Sequence, residues 1–591
     1  MTHSFNSWMF FWFTENGENL LGRCLLKMQR GLAQNWRKVP AARFMESEFE
    51  LVAFAKVAVA LIIVTISLSM FSHGQSIDEG RGALRGPQAQ QFRLGRLTFS
   101  GNVHTKLALL LWLIPLNSGD IFDQSKWELG LDQINRLGVF EPVLPSDGVF
   151  TFDYSKSLVD VELKLTERDR QRIDLSGGGG TTGGVNVGLD YSNINLSGIA
   201  DRLAARVRAG NRERSFDAAY SRMLLRRTPI NVEMSGSFRR LEFVDARTAD
   251  RSRGPLLIER TAGAGLGLSI PVAGSPFRLG SPTRLSFLYS FATTNLIDTF
   301  RSQPGGAEQA LEQKGIRVAS ITPALVHDTL DRGFDPTRGQ RLVVAVEAGA
   351  RFLGGSMNTI KPSVDFSRFF PLGTRESGSP GASREPQVIG FRVRASHIAS
   401  AGKPFRPEAL SSVGGVPIFK RFFLGGQQEV RGYDVNSIAP IARVERSVIQ
   451  NGEPPVLLSS ELRPIGGDAQ VVMNAEYRVP LVGRLSAAAF ADFGASFNIR
   501  HLSQERVESP GRIEPLGTPV IIATVLHPID SGLPDYRVSV GAELRIHIPV
   551  LNIPLRLIVS ANPNAQRRPP PGVLLAPEKR FTFGFGFGRT L

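Results

Sequence analysis

Residues Arg537–Ile548 alternate without a break. Val538, Val540, Ala542, Leu544, Ile546 and Ile548 hold one parity; Arg537, Ser539, Gly541, Glu543, Arg545 and His547 hold the other. Gln340–Phe352 repeats the pattern, with Leu342, Val344, Val346, Ala348 and Ala350 set against Arg341, Glu347 and Arg351. Successive side chains of a strand point to opposite faces, so each run is a strand with one apolar and one polar face. Two settings suit it, a half-buried soluble sheet or a membrane barrel around a wet lumen. Length separates them. Runs of about 10–12 residues match a tilted strand crossing a bilayer, whereas soluble strands average about 5–6. The stretch 171–591 has room for about sixteen such strands with their loops. A mostly β, transmembrane antiparallel barrel is therefore expected.

Composition agrees. The chain has 591 residues with 60 Gly and 38 Phe, and no collagen-like period, which favours a turn-rich β protein over a helical one. Gly373–Pro386 and Arg567–Pro577 read as loops. In the last strand Phe581, Phe583, Phe585, Phe587 and Leu591 share a parity, with Gly584, Gly586 and Gly588 between them. One aromatic face and one glycine face suit lipid on the outside and a close-packed wall within. The net charge of +15 does not by itself distinguish nucleic acid from an anionic membrane surface. Its arginines recur on the polar parities and in loops, so no nucleic-acid partner is expected.

Residues 1–74 read as a leader and 75–91 as a linker. Val57–Phe71 is apolar and uninterrupted but shorter than the ~20 residues of a spanning helix, and it follows Arg37, Lys38, Arg43 and Lys56. This suits a signal peptide, with cleavage near Ser72-His73-Gly74. The one cysteine, Cys24, precedes the run, which excludes a disulfide framework or a Cys-rich zinc module in the exported part.

Between leader and barrel, 92–170 reads as a small α+β module in the order strand, helix, helix, strand, strand. Phe92–Phe99 alternates into the turn Ser100-Gly101-Asn102. Trp127, Leu131, Ile134 and Leu137 recur at helical spacing, and Asp160–Leu165 alternates again. Phe99–Asn102, Gly119–Phe122, Asn135–Phe140 and Val161–Glu167 together resemble the polypeptide-transport-associated (POTRA) domain. The resemblance implies a periplasmic module that binds partners by strand addition at its sheet edge.

Three barrel segments carry a second resemblance: Gly425-Gly-Gln-Gln-Glu-Val-Arg-Gly-Tyr433, Phe490-Ala-Asp-Phe-Gly494 and Asp328–Gly339. They resemble, in order, the loop tip, a wall strand and a periplasmic turn of the BamA/TamA/two-partner-secretion superfamily of outer-membrane assembly and translocation barrels. The terminal strand resembles the recognition strand of outer-membrane proteins, with Leu591 in place of the final aromatic. Phe490, Asp492 and Gly494 share one parity, which places Asp492 toward the lumen; Glu476 holds the polar parity of the preceding strand. The resemblance implies that a long loop, about 401–466, folds inward and carries Val430, Arg431, Gly432 and Tyr433 to the wall, where Arg431 pairs with Asp492. A guanidinium is the best partner for a carboxylate held inside a barrel.

Catalytic readings fail. Gly178, Gly180 and Gly183 match a dinucleotide-binding spacing, but the alternating Val185–Tyr191 follows where a helix is required, so the cluster is expected to open the first barrel strand. The eight His show no metalloprotease spacing, and no G-x-S-x-G occurs. Neither enzymatic activity nor a cofactor or metal is expected. The resemblance implies an outer-membrane protein assembly factor whose first and last strands meet at a weak seam. Its partners would be unfolded outer-membrane or secreted clients, outer-membrane lipids and accessory lipoproteins. The alternative is a two-partner-secretion pore for one exported protein. A passive porin is disfavoured, because a diffusion channel needs no module beneath it.

Overall fold

The computed structural model describes residues 92–587 apart from 181–183, 225–229, 244–255, 273–281, 302–307, 333–334, 375–385, 402–411, 450–453, 501, 503, 514–517, 530–535, 549–552 and 566–576. The leader, the linker, Leu591 and most of the two expected loops lie outside the described residues.

The module comprises β1 (Arg93–Ser100), α1 (Leu107–Leu113), α2 (Gln124–Leu137), β2 (Gly148–Asp153) and β3 (Leu158–Lys164). β3 is central, parallel to β1 and antiparallel to β2. α2 starts where Asp123 accepts from the amides of Ser125 and Lys126, and ends at Gly138, whose φ of 68° is left-handed. Its Trp127, Leu131 and Ile134 bury against Leu109, Leu110 and Leu113 of α1 and Val159, Val161 and Leu163 of β3. The expected order of elements is the observed one.

The chain then runs through β4 (Gln171–Gly180), β5 (Gly184–Ile194), β6 (Arg202–Gly210), β7 (Glu213–Leu224), β8 (Ile230–Phe243), β9 (Leu257–Pro271), β10 (Thr283–Arg301) and β11 (Glu308–Asp328). β12 (Gly339–Gly349), β13 (Thr359–Thr374) and β14 (Pro386–His397) follow, prolonged by the two-residue β15 (Ala399–Ser400). A long connection contains β16 (Ser412–Val413), β17 (Val416–Pro417), β18 (Ile441–Ile449) and β19 (Val456–Pro464). Next come β20 (Ala469–Pro480), β21 (Leu485–Phe497), β22 (Glu505–Ile513), β23 (Thr518–Pro528), β24 (Tyr536–Ile548), β25 (Ile553–Ala561) and β26 (Phe581–Phe587). Among the described residues sixteen long strands close one antiparallel barrel, with β26 meeting β4.

The outer parity is apolar and exposed. Val207, Phe216, Met234, Phe238, Leu266, Val540, Val559, Phe581 and Phe583 all face outward, and Thr582 between the two phenylalanines is buried. Exposed apolar rows on every side of a closed wall have no place in water and are what lipid requires. No described helix is long and apolar enough to cross a membrane.

Two expectations are corrected. The glycine cluster ends the first strand instead of opening it. Arg172, Asp174 and Ser176 already alternate with Ile173 and Leu175, and Gly177–Gly180 form the far half of β4. The loop at about 401–466 does not fold inward as a whole. β18 and β19 pair with each other, and β18 with β23, in a four-stranded sheet ordered β19-β18-β23-β22. This dome stands at the barrel end opposite the module. Ala442, Val444, Arg446 and Val448 form one buried face along β18, which needs a cover that a lumen segment would lack.

The module is joined to the barrel through the turn between β5 and β6. Asn195 donates to Thr105 Oγ1 at 2.9 Å, Lys106 N donates to Gly198 O at 2.8 Å, and Glu167 accepts from the amides of His104 and Thr105. Gly198 has φ 82°, and a Cβ there would meet His104 O at 2.5 Å, so this turn tolerates no side chain.

Candidate functional site

The tip of the long connection is a closed turn, with Gly426 N donating to Tyr433 O at 3.0 Å and Gly425 N to Glu429 Oε2 at 3.1 Å. It lies inside the lumen against the wall formed by β20, β21, β24 and β25. Arg431 is 1% exposed. Its Nε and Nη2 donate to the two Asp492 oxygens at 2.7 Å each, and its backbone N adds a third bond to Asp492 at 3.0 Å. Nη1 reaches Glu476 at 3.1 Å and Glu543 at 3.4 Å. The guanidinium also lies over the Phe490 ring, 3.7 Å from its centroid. Burial alone would lower the Arg431 pKa. The bonds to Asp492 and the charges of Asp492, Glu476 and Glu543 outweigh it and hold the group above its ordinary range.

Each neighbour in the motif makes room for this pairing. Gly432 has φ 88°, and a Cβ there would come within 2.6 Å of both Asn562 Oδ1 and Ser560 Oγ; its carbonyl accepts from Asn562 Nδ2 at 2.9 Å. A Cβ on Gly494 would collide with Val430, which is fully buried. Tyr433 OH donates to Val538 O at 3.2 Å and lies 3.1 Å from Asn564 Oδ1. Glu429 contacts Arg394 at 3.5 Å, and burial pushes its carboxyl up to about 7 against that arginine.

The ion network continues beyond the tip. Arg545 pairs with Glu543 at 2.7 Å, with Glu476, and with Asp335 at 3.4 Å. Arg478 binds Asp335 and the Pro336 carbonyl, and Arg556 lies 3.7 Å from Glu543. Four guanidinium groups thus meet the four carboxylates Asp492, Glu476, Glu543 and Asp335. Asp335 belongs to the turn between β11 and β12, which enters from the module side. The tip from one end and this turn from the other meet in a single charge-balanced cluster, buried except at the half-exposed Asp335, and charge balance is what its buried groups demand.

The structure brings together Val430, Arg431, Gly432, Tyr433, Asp492, Phe490, Gly494 and Glu476. It places Phe581, Phe583 and Phe585 apart from them, on the terminal strand. Glu543, Asn474 (Nδ2 to Asp492 at 2.9 Å), Arg545 and Asp335 were not anticipated as site residues. Parity alone put Glu543 and Arg545 toward the lumen, but not beside Arg431. That requires β24 to neighbour β21 across the whole β22–β23 hairpin.

The seam is the other feature of this wall. Among the described residues β26 and β4 share four pairs, Gly584 with Gly180 through Phe587 with Gly177, and the β4 member of every pair is glycine. On its other side β4 pairs with β5 at ten positions. No cluster of His, Cys, Asp or Glu suited to a metal occurs among the described residues.

Comparison with known proteins agrees with this architecture. The profile of the Omp85 superfamily domain matches residues 195–589, and that of the surface antigen variable number repeat, the POTRA family, matches 92–168. Outer membrane protein assembly factor BamA of Nitratidesulfovibrio vulgaris is 22% identical over 69% of this chain and 44% of the relative. BamA of Neorickettsia risticii is 24% identical over 68% and 47%. The chain thus spans about half the length of these curated relatives. Among solved structures, BamA from Haemophilus ducreyi lacking POTRA domains 1–3 shares the fold with a TM-score of 0.53 at 17% identity, covering 84% of both chains. CdiB from Acinetobacter baumannii does so with a TM-score of 0.50 at 15% identity, over 84% of this chain and 74% of its own. The chain belongs to the Omp85 superfamily, as an outer-membrane β-barrel with a POTRA module on its periplasmic side.

Proposed function

We propose that this protein inserts β-barrel clients into the outer membrane, receiving them unfolded at the periplasmic module and passing them to the seam. The observation that carries this reading is the run Gly177–Gly180 along β4 at the seam. Glycine offers no cross-strand side-chain contact and weakens a strand, so the ladder is least stable where it must close. Once parted, the two edges expose unpaired N–H and C=O groups, a template for an incoming strand. The client's own folding drives the process, and no nucleotide or cofactor is called for. Outer-membrane lipids and accessory lipoproteins are the further partners in this reading.

The alternative is a translocation pore for one exported protein. Against it stands the cluster of tip and turn, which occupies the lumen face of β20, β21, β24 and β25. Depletion separates the two: outer-membrane barrels of many kinds should fall together in the envelope proteome. Loss of a single secreted protein with barrels intact would favour the pore, and an unchanged envelope would exclude both.

A further inference from the structure

The loop tip has a second arm. Gln427, four positions before Arg431, extends the other way along the wall, and its Nε2 donates to the main-chain carbonyl of Phe585 on β26 at 2.8 Å. A Cβ on Gly586 would land on Gln427 Oε1 and come within 3.1 Å of Arg556 Nη2. Glycine at 586 therefore lets the amide lie flat on the inner face of the terminal strand. Phe585 and Gly586 are the residues that pair with Gly179 and Gly178 across the seam.

We propose that Gln427 is a positioning residue for the seam, a latch by which the anchored tip holds the terminal strand in register against the glycine run. The tip is a firm base for it, since Arg431 ties it to β20, β21 and β24 and Arg394 meets Glu429 from β14. The bond goes to a main-chain carbonyl, so it holds the strand whatever side chains β26 carries. A ladder with glycine along one edge has little side-chain complementarity of its own to specify register. Gln427 supplies from the lumen what the glycines lack. This role rests on the reading that the seam opens; the register it fixes is measurable whether or not insertion occurs.

Cysteine pairs provide the test in full-length protein, after Cys24→Ser removes the one native thiol. Gly179→Cys with Phe585→Cys reports the native register, and Gly179→Cys with Phe583→Cys reports a two-residue slip that keeps the same faces. Gln427→Ala should lower the native-to-slipped disulfide ratio about fivefold, the size of one neutral hydrogen bond. Heat-modifiable migration should stay that of a folded barrel. Gly586→Ala should produce the same shift by displacing the amide, and should add little once Gln427 is already alanine. An unchanged ratio in Gln427→Ala, or a Gly586→Ala effect of equal size with and without Gln427, would overturn the latch. A shifted ratio in a protein that, with or without Gln427, inserts no client into liposomes would support the latch and count against the insertion reading instead.

Discussion

Arg431→Ala should yield a barrel that folds and enters the membrane yet has lost client insertion. The strand ladders do not involve this side chain, so heat-modifiable migration should be retained. What is lost is the tie between tip and wall. Without the guanidinium, Asp492 keeps only the Asn474 amide and the backbone N–H at 431, and Glu476 and Glu543 are left to Arg545, with Arg478 3.6 Å from Glu476 and Arg556 3.7 Å from Glu543. Removing one partner of a buried pair costs about 3–5 kcal/mol, because the other charge stays buried. That is enough to detach the tip from the wall. Arg431→Lys should recover little, since a point charge cannot bind both Asp492 oxygens and Glu476 together or stack flat on Phe490. Insertion assays with purified protein, alongside protease digestion of residues 412–440, check this. Normal activity with an unchanged digestion pattern would contradict it.

The second large effect is expected at the opposite end, on the extracellular side. Arg446, fully buried, pairs with Asp298 of β10 at 2.8 Å and Glu461 of β19 at 2.7 Å. Arg463 binds the same two carboxylates, and the Arg446 guanidinium lies 4.5 Å from the Phe300 ring centroid. These ions fasten the β18–β19 hairpin to the projecting end of β10. Asp298→Ala leaves two buried guanidinium groups with one carboxylate, again a loss of about 3–5 kcal/mol. The dome should loosen and the extracellular mouth open, with higher conductance in planar bilayers and faster cleavage of the hairpin by external protease. Wild-type conductance and cleavage would show that the dome is held by its apolar contacts alone.

Much of this architecture was legible because lipid imposes a strict rule. A wall with hydrocarbon outside and a polar lumen within must alternate, and Arg537–Ile548 does so at every position. The Arg431–Asp492 pair was legible by combining parity at Asp492 with the loop-tip resemblance. Ile441–Ile449 shows the limit, since Ala442, Val444 and Val448 alternate with Arg443, Glu445 and Ser447 as in a wall strand, yet it lies in the dome. Alternation reports two different faces and does not say which is lipid. Gln427 gave no signal because its partner is a main-chain carbonyl, which any residue at 585 would provide. The glycine cluster was placed in the first strand but at the wrong end of it. Glycine marks weak or tightly approached backbone, and only the pairing with Phe587–Gly584 shows which edge needed it.

The seam is where the account is most exposed. Purified protein carrying Cys24→Ser, Gly179→Cys and Phe585→Cys, reconstituted in liposomes with an unfolded barrel client, tests it directly. With the disulfide closed, client insertion should fall to the rate of protein-free liposomes, and reduction should restore it. Insertion at the full rate through a closed seam would contradict the account.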